Sequence, residues 1–250
     1  TYNSYRRRVL GSVRWGEETA AATGQRLEAL GHQVTTEPML QVEFLPIDPV
    51  AFTGAQAVIA TSRNALRALA SSGACDAATA LPIYVVGDKT AEEAKRLGFG
   101  RVVTGPGRAR DLAPVIADDA EPAGGFLVHV AGENLAFDLG EALAERNIDV
   151  RQVTAYRTRA SEALTPATER ALRDGALDAV ILMSPRTAAT FDRLVDGRGL
   201  AAEAGRLTCI CISREVADAL QTISPIRIEI AQQPDFEGII DTLSRVARPA

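Results

Sequence analysis

The chain has 250 residues, 46% hydrophobic and 24% charged, with a net charge of −5, a globular composition with room for one large domain or two ordinary ones. No apolar run approaches the roughly 20 residues that span a bilayer, and the opening stretch TYNSYRRRVLGSVRW lacks the apolar core of a secretory signal. The acidic balance argues against a nucleic-acid groove, so the expectation is a soluble, cytoplasmic protein that binds neither membrane nor nucleic acid.

In chain order, Arg8–Val13 reads as a short strand and Gly16–Leu30 as a helix, with Thr19, Thr23, Leu27 and Leu30 at helical spacing and Gly31 as its stop. A strand at Gln33–Thr36 completes a βαβ unit. Next come a strand at Ala57–Thr61, a helix at Asn64–Ala70, a strand at Ile83–Val86, a helix at Thr90–Leu97 and a short strand near Arg101–Val103. The βαβ pattern returns at Phe126–Val153, where Leu143 aligns with Leu27 and Val150 with Val34 at one offset. Asn147 stands where Gly31 stood, as expected of a left-handed helix cap, for which Asn is the next most tolerant residue. The second pattern then returns as strands at Ala179–Met183, Leu207–Ile212 and Ile226–Ile230 with helices at Thr187–Leu194 and Glu215–Gln221; Val58 with Val180 and Ser62 with Ser184 share one offset.

Strands alternating with helices imply α/β architecture: two doubly wound parallel-sheet domains of similar topology, with five strands each. The residues allow a tandem arrangement, divided near Glu121–Gly125, or a nested one with crossovers at Glu37–Pro46 and Thr154–Pro166, the latter ending in a Thr N-cap with Pro at the first helical position. Cys209 and Cys211 alternate within LTCICI and read as small buried hydrophobes on one strand face, in preference to a zinc or redox pair. With only His32 and His129 available, no metal site is expected.

In open α/β sheets ligands bind beyond the carboxyl ends of the strands, where helix N-termini offer backbone N–H groups. Those turns are Val13-Arg14-Trp15-Gly16, Thr61-Ser62-Arg63-Asn64, Gly87-Asp88-Lys89-Thr90, Ala131-Gly132-Glu133-Asn134, Ser184-Pro185-Arg186-Thr187 and Ser213-Arg214-Glu215. They carry small or hydroxyl residues that admit an anion to the backbone, and five include a cation: Arg14, Arg63, Lys89, Arg186 and Arg214. The bland alternative makes the hydroxyls ordinary N-caps and the cations solvated surface. Trp15 is either a cleft wall or a surface contact. Gly105-Pro106-Gly107 reads as a turn, and Asp118, Asp119 and Glu121 as an exposed helix end rather than a metal cluster.

Together these residues resemble the uroporphyrinogen-III synthase family, from about Arg8 to Val246. The resemblance rests on the order and spacing of a first strand followed by Arg14, the Gly31 turn, the Pro38 connector, TSRNAL at Thr61–Leu66, VGDKTA at Val86–Ala91, AGEN at Ala131–Asn134, AYRT at Ala155–Thr158 and SPRT at Ser184–Thr187. It implies the nested arrangement, with domain 1 at 1–36 plus 160–250, domain 2 at 44–153, linkers at 37–43 and 154–159, and the active site in a cleft between the domains. It further implies cyclisation of the linear tetrapyrrole hydroxymethylbilane to uroporphyrinogen III, in heme biosynthesis. Ring D is inverted through a spiro intermediate, without metal or organic cofactor, in an enzyme expected to be a monomer. Tyr156 matches the family tyrosine that would protonate the departing hydroxyl, a role open to a phenol that is protonated at neutral pH, or it packs the linker. The implied substrate-binding set is Arg14, Thr61, Ser62, Asn64, Gly87, Lys89, Thr90, Gly132, Glu133, Asn134, Ser184, Pro185, Arg186, Ser213 and Arg214. One motif departs: where the family reads Gly-x-x-Thr-Ala, this chain has Ser213-Arg214-Glu215-Val216-Ala217. That loss of a hydroxyl raises a second reading, a catalytically altered member serving as a tetrapyrrole- or anion-sensing regulatory domain.

Overall fold

A computed structural model describes residues 8–12 and 24–246. They form two compact units: residues up to Gln41 together with those from Arg159 onward, and Val42–Thr158. Arg14, Trp15, Thr19 and Thr23, and with them the first predicted turn, lie outside the described residues.

The first unit contains strands β1 (Arg8–Ser12), β2 (Gln33–Glu37), β9 (Ala179–Leu182), β10 (Thr208–Cys211) and β11 (Arg227–Ile230), ordered β11-β10-β9-β1-β2 and paired in parallel. Its helices are α1 (24–29), α7 (Pro166–Arg173), α8 (Pro185–Gly197), α9 (Ala201–Ala204), α10 (Arg214–Asp218) and α11 (Phe236–Val246). The second unit contains β3 (Leu40–Phe44), β4 (Ala55–Ala60), β5 (Ile83–Val85), β6 (Val102–Thr104), β7 (Phe126–Gly132) and β8 (Val150–Ala160), ordered β3-β8-β7-β4-β5-β6. Helices α2 (Arg63–Ala70), α3 (Cys75–Thr79), α4 (Asp88–Leu97), α5 (Ala109–Asp119) and α6 (Leu139–Ala144) accompany it.

The repeat seen in the sequence is a repeat of topology. Strands β2-β1-β9-β10-β11 in the first unit correspond in order to β8-β7-β4-β5-β6 in the second, and the second unit, Val42–Thr158, interrupts the chain of the first. Each sheet reverses its direction of winding at one place, between β1 and β9 and between β7 and β4, the kind of switch point where such sheets take ligands.

The central strands are short unbroken apolar runs because both faces are covered. Val180 and Leu182 pack into one core cluster and Ala179 and Ile181 into another; Val58 and Ala60 do the same against Ala57 and Ile59. Leu27 and Leu143, aligned by the repeat, are both fully buried. Asn147 takes φ 58°, the only non-glycine residue among those described with positive φ, and Gly31 takes φ 89°. Cys209 and Cys211 share one core cluster, and burial pushes both thiols up to about 12.

The second sheet has six strands where five were expected. The extra one is β3, within the first predicted crossover, which lies beside β8 at the sheet edge; Arg157 donates to both carboxylate oxygens of Glu43 at 2.7 and 2.8 Å, tying the two strands by their side chains. Only the end of α5 is legible in the sequence, at Asp118–Asp119, because its internal Pro114 interrupts the helical pattern, and α11 is not legible there at all. No described helix is long and apolar enough to cross a membrane.

Candidate active site

In the second unit four adjacent strands, β8, β7, β4 and β5, bring Tyr156, Gly132, Thr61-Ser62 and Gly87 to the carboxyl end of the sheet. Neighbouring strands stand about 4.8 Å apart, so this row is on the order of 15 Å long. It straddles the β7/β4 switch point.

Ser62 begins α2 in extended conformation, and its hydroxyl accepts from the Asn64 N–H at 3.1 Å, while Asn64 itself is buried. Thr61 Oγ1 lies 3.4 Å from Nε2 of His129, a buried residue of β7. Desolvation lowers the His129 pKa to about 4, against the opposing pull of Asp138, so the ring is neutral at pH 7. His129 had no place in the sequence-derived site; a lone His in an apolar strand gives no signal of the neighbour it meets.

Gly87 begins α4 without any side-chain cap, and its carbonyl accepts from the N–H groups of Thr90 and Ala91, both at 3.0 Å. Among the described residues nothing bonds the N–H groups of Asp88 and Lys89, and the exposed Lys89 makes no ion pair. Thr90 is buried. This turn therefore keeps two backbone donors and a cation in reach of a ligand.

The AGEN segment behaves differently from the expectation that it opens a helix. Gly132 ends β7, Glu133 and Asn134 are exposed in the loop, and α6 begins only at Leu139, capped by Asp138, whose carboxylate accepts from the Glu141 N–H at 3.1 Å. Asn134 is thus no cap. Glu133 instead donates its N–H to the Tyr156 carbonyl at 2.9 Å.

Tyr156 is 7% exposed and belongs to the core cluster on the α2 and α4 face of the sheet. Its ring lies against Gly132: a Cβ built on that glycine would stand 2.8 Å from Cε2 and Cζ and 3.0 Å from the hydroxyl oxygen. Among the described residues no group bonds the Tyr156 hydroxyl, nor is it among the fully buried polar atoms lacking a partner. A fixed phenol with an unclaimed proton is suited to general-acid work.

In the first unit the matching turns follow β9 and β10. Ser184 and Thr187 form a closed capping box: the Ser184 hydroxyl accepts from the Thr187 N–H at 3.2 Å, and Thr187 Oγ1 accepts from the Ser184 N–H at 3.2 Å while donating to the Ser184 carbonyl at 2.9 Å. Pro185 has no N–H to offer, so most donors of this turn are already engaged. Arg186 is exposed. Ser213 makes no side-chain cap to α10, Arg214 is exposed without an ion pair among the described residues, and Val216 is 1% exposed in the core.

Asp119, set aside above as a helix end, accepts from the Tyr84 hydroxyl at 2.7 Å and from Arg101 at 2.6 Å. Burial and this carboxylate push the Tyr84 phenol well above its ordinary range. The Gly105–Gly107 segment is a bend with Gly107 at φ 111°.

The solved uroporphyrinogen-III synthetase of Helicobacter pylori is 20% identical, covers 97% of this chain and 100% of its own with a TM-score of 0.57, and so shares the fold. A mutant uroporphyrinogen III synthase from the extremely thermophilic bacterium Thermus thermophilus is 23% identical over 95% of this chain and 97% of its own, with a TM-score of 0.49. No curated protein matches the sequence. The family model described as uroporphyrinogen-III synthase HemD matches residues 21–241, and by that match, spanning most of its length, the chain belongs to the uroporphyrinogen-III synthase family.

Proposed function

We propose that this protein is a lyase of heme biosynthesis that cyclises hydroxymethylbilane to uroporphyrinogen III. The observation that carries the reading is the buried Tyr156 ring seated on Gly132, with a hydroxyl that no described group claims, at the switch point of a family member's sheet. The Tyr156 phenol donates its proton to the substrate hydroxyl; the C–O bond breaks, its electron pair leaves with the oxygen, and water departs. The resulting electrophilic methylene is attacked by the substituted α-carbon of ring D, giving the spiro intermediate. The bond from that carbon to its original bridge then breaks with its electron pair returning to ring D, and the unsubstituted α-carbon of ring D closes on the freed bridge methylene, so that ring D is reversed. The proton lost as the last pyrrole regains aromaticity returns to the phenolate. Net, one water is released and no electrons are exchanged with another reactant.

Substrate carboxylates are held by backbone N–H groups and cations: Asp88 and Lys89 N–H with the Lys89 ammonium after Gly87, the Ser62 and Asn64 turn with Thr61, the Glu133-Asn134 loop, and, in the first unit, Arg186 beyond Ser184-Pro185 and Arg214 beyond Ser213. Arg14 completes the set. Rate acceleration comes largely from holding the reactive chain so that spiro closure outruns direct end-to-end closure.

The test is the isomer ratio of uroporphyrin after oxidation of the product made from fresh hydroxymethylbilane. The type III isomer is expected, with Tyr156→Phe slower by about 10²-fold, the lower range for a general acid. Exclusive type I product from folded protein refutes the reading and favours a tetrapyrrole-binding regulatory domain, the alternative to which Val216 points.

A further inference from the structure

We propose that Gly132 is a positioning residue, which together with a one-residue bulge in β8 fixes the place of the Tyr156 phenol. The inference rests on the reading of Tyr156 as proton donor. Two independent features of the backbone converge on this ring.

The first is register. Strand β7 pairs with β8 as Leu127 with Val150, Val130 with Val153 and Ala131 with Thr154, and then Gly132 pairs with Tyr156, leaving Ala155 as the extra residue. Side chains alternate along a strand, so regular pairing would send Ala155 and Tyr156 to opposite faces. The bulge puts both in the same core cluster, on the face covered by α2 and α4, whose N-terminal turns at Ser62 and Gly87 hold the anion-receptive groups. Bulges of this kind re-aim a side chain beside active sites. Without it, the phenol would stand on the other face of the sheet.

The second is the missing Cβ. Gly132 is not among the glycines with positive φ, so its backbone suits any residue. The three atoms nearest to a built Cβ all belong to the Tyr156 phenol, two ring carbons at 2.8 Å and the hydroxyl oxygen at 3.0 Å. Ordinary carbon contacts lie at about 3.5–4.0 Å, so an alanine methyl must drive the ring away by about 1 Å, a displacement that costs on the order of 10²-fold in a reaction dependent on alignment. Glycine is needed at 132 for where the ring goes, not for how the chain turns.

The experiment compares wild type, Gly132→Ala, Tyr156→Phe and the double variant G132A/Y156F. In Gly132→Ala, kcat for type III formation is expected to fall about 10²-fold with KM within about threefold, because the loss is one of alignment rather than binding. The double variant is expected to be no slower than the slower single one, since both changes act through one hydroxyl. The Tyr156 ring-carbon NMR signal should shift in Gly132→Ala, a readout independent of activity. Where Gly132→Ala folds poorly, G132A/Y156L should recover folding by removing the ring that the methyl strikes. Full activity in Gly132→Ala beside a slow Tyr156→Phe, additive losses in the double variant, an unmoved ring signal, or no recovery of folding in G132A/Y156L would each overturn the proposal. Full activity in Tyr156→Phe would instead sink the proton-donor reading, leaving the ring signal to judge the placement alone.

Discussion

Val216→Thr is a test of whether the departure from the family motif is a packing matter or a functional one. Val216 is the third residue of α10 and 1% exposed, so replacing a methyl by a hydroxyl removes about 0.8 kcal/mol of buried apolar surface, and a hydroxyl left unpaired there would cost about 1–3 kcal/mol more. The first unit already contains the answer to where that hydroxyl goes. Thr187 is the third residue of α8, is 0% exposed, and is fully satisfied by the Ser184 N–H and carbonyl. Ser213 precedes α10 in nearly the same extended conformation, φ −154° and ψ 169° against φ −159° and ψ 153° at Ser184, and makes no side-chain cap of its own. A threonine at 216 can therefore close a second capping box, worth about 1 kcal/mol, which offsets the lost methyl. The expected change in unfolding free energy is within about 1 kcal/mol, read by urea denaturation with the slope unchanged. A loss above about 2 kcal/mol, the cost of a buried unpaired hydroxyl, would refute the box. With stability preserved, any change in type III formation belongs to substrate contact alone.

Two further outcomes follow from buried titratable groups. Asp192, 5% exposed on α8, accepts from the N–H groups of Gln221, Thr222 and Ile223 at 2.9–3.2 Å. Asp192→Ala leaves three donors behind, two on exposed residues that water can satisfy and one on buried Ile223, so urea denaturation should show a loss of about 2–4 kcal/mol; a loss under about 1 kcal/mol would mean the loop finds other acceptors. Burial holds His129 at about 4, below its ordinary 6.5. As pH falls through 6.5 the unfolded chain takes up this proton first. The stabilising effect of the neutral ring is therefore complete above pH 6.5 and lost progressively down to about pH 4, by up to about 3 kcal/mol. His129→Gln should flatten the acid limb of stability against pH relative to wild type, and an unchanged limb would show that the buried imidazole does not titrate this way.

Local chemistry was enough to read much of this protein. The short apolar runs read as strands at Ala179–Met183 and Leu207–Ile212 are strands at Ala179–Leu182 and Thr208–Cys211, and the offset that Ser62 with Ser184 shares with Val58 and Val180 discloses a repeated unit. Asn147 was recognisable as a left-handed cap because so few residues tolerate that conformation. Ser62 and Ser184 do cap their helices, the alternative set beside an anion-receptive turn, and that much is local because capping depends on residues two or three positions apart.

Tertiary structure decided what depends on distant neighbours. Pairing, not propensity, made β3 a sixth strand: its partner β8 lies more than a hundred residues away in the chain. The same holds for His129 beside Thr61 and for Asp119 between Tyr84 and Arg101. At the candidate site the sequence supplied Gly132 and Tyr156 as separate motif letters, one for an anion-binding loop and one for a proton donor. Only the bulge at Ala155 joins them, because register is a property of two strands, and a shift of one residue decides which face of the sheet a side chain occupies.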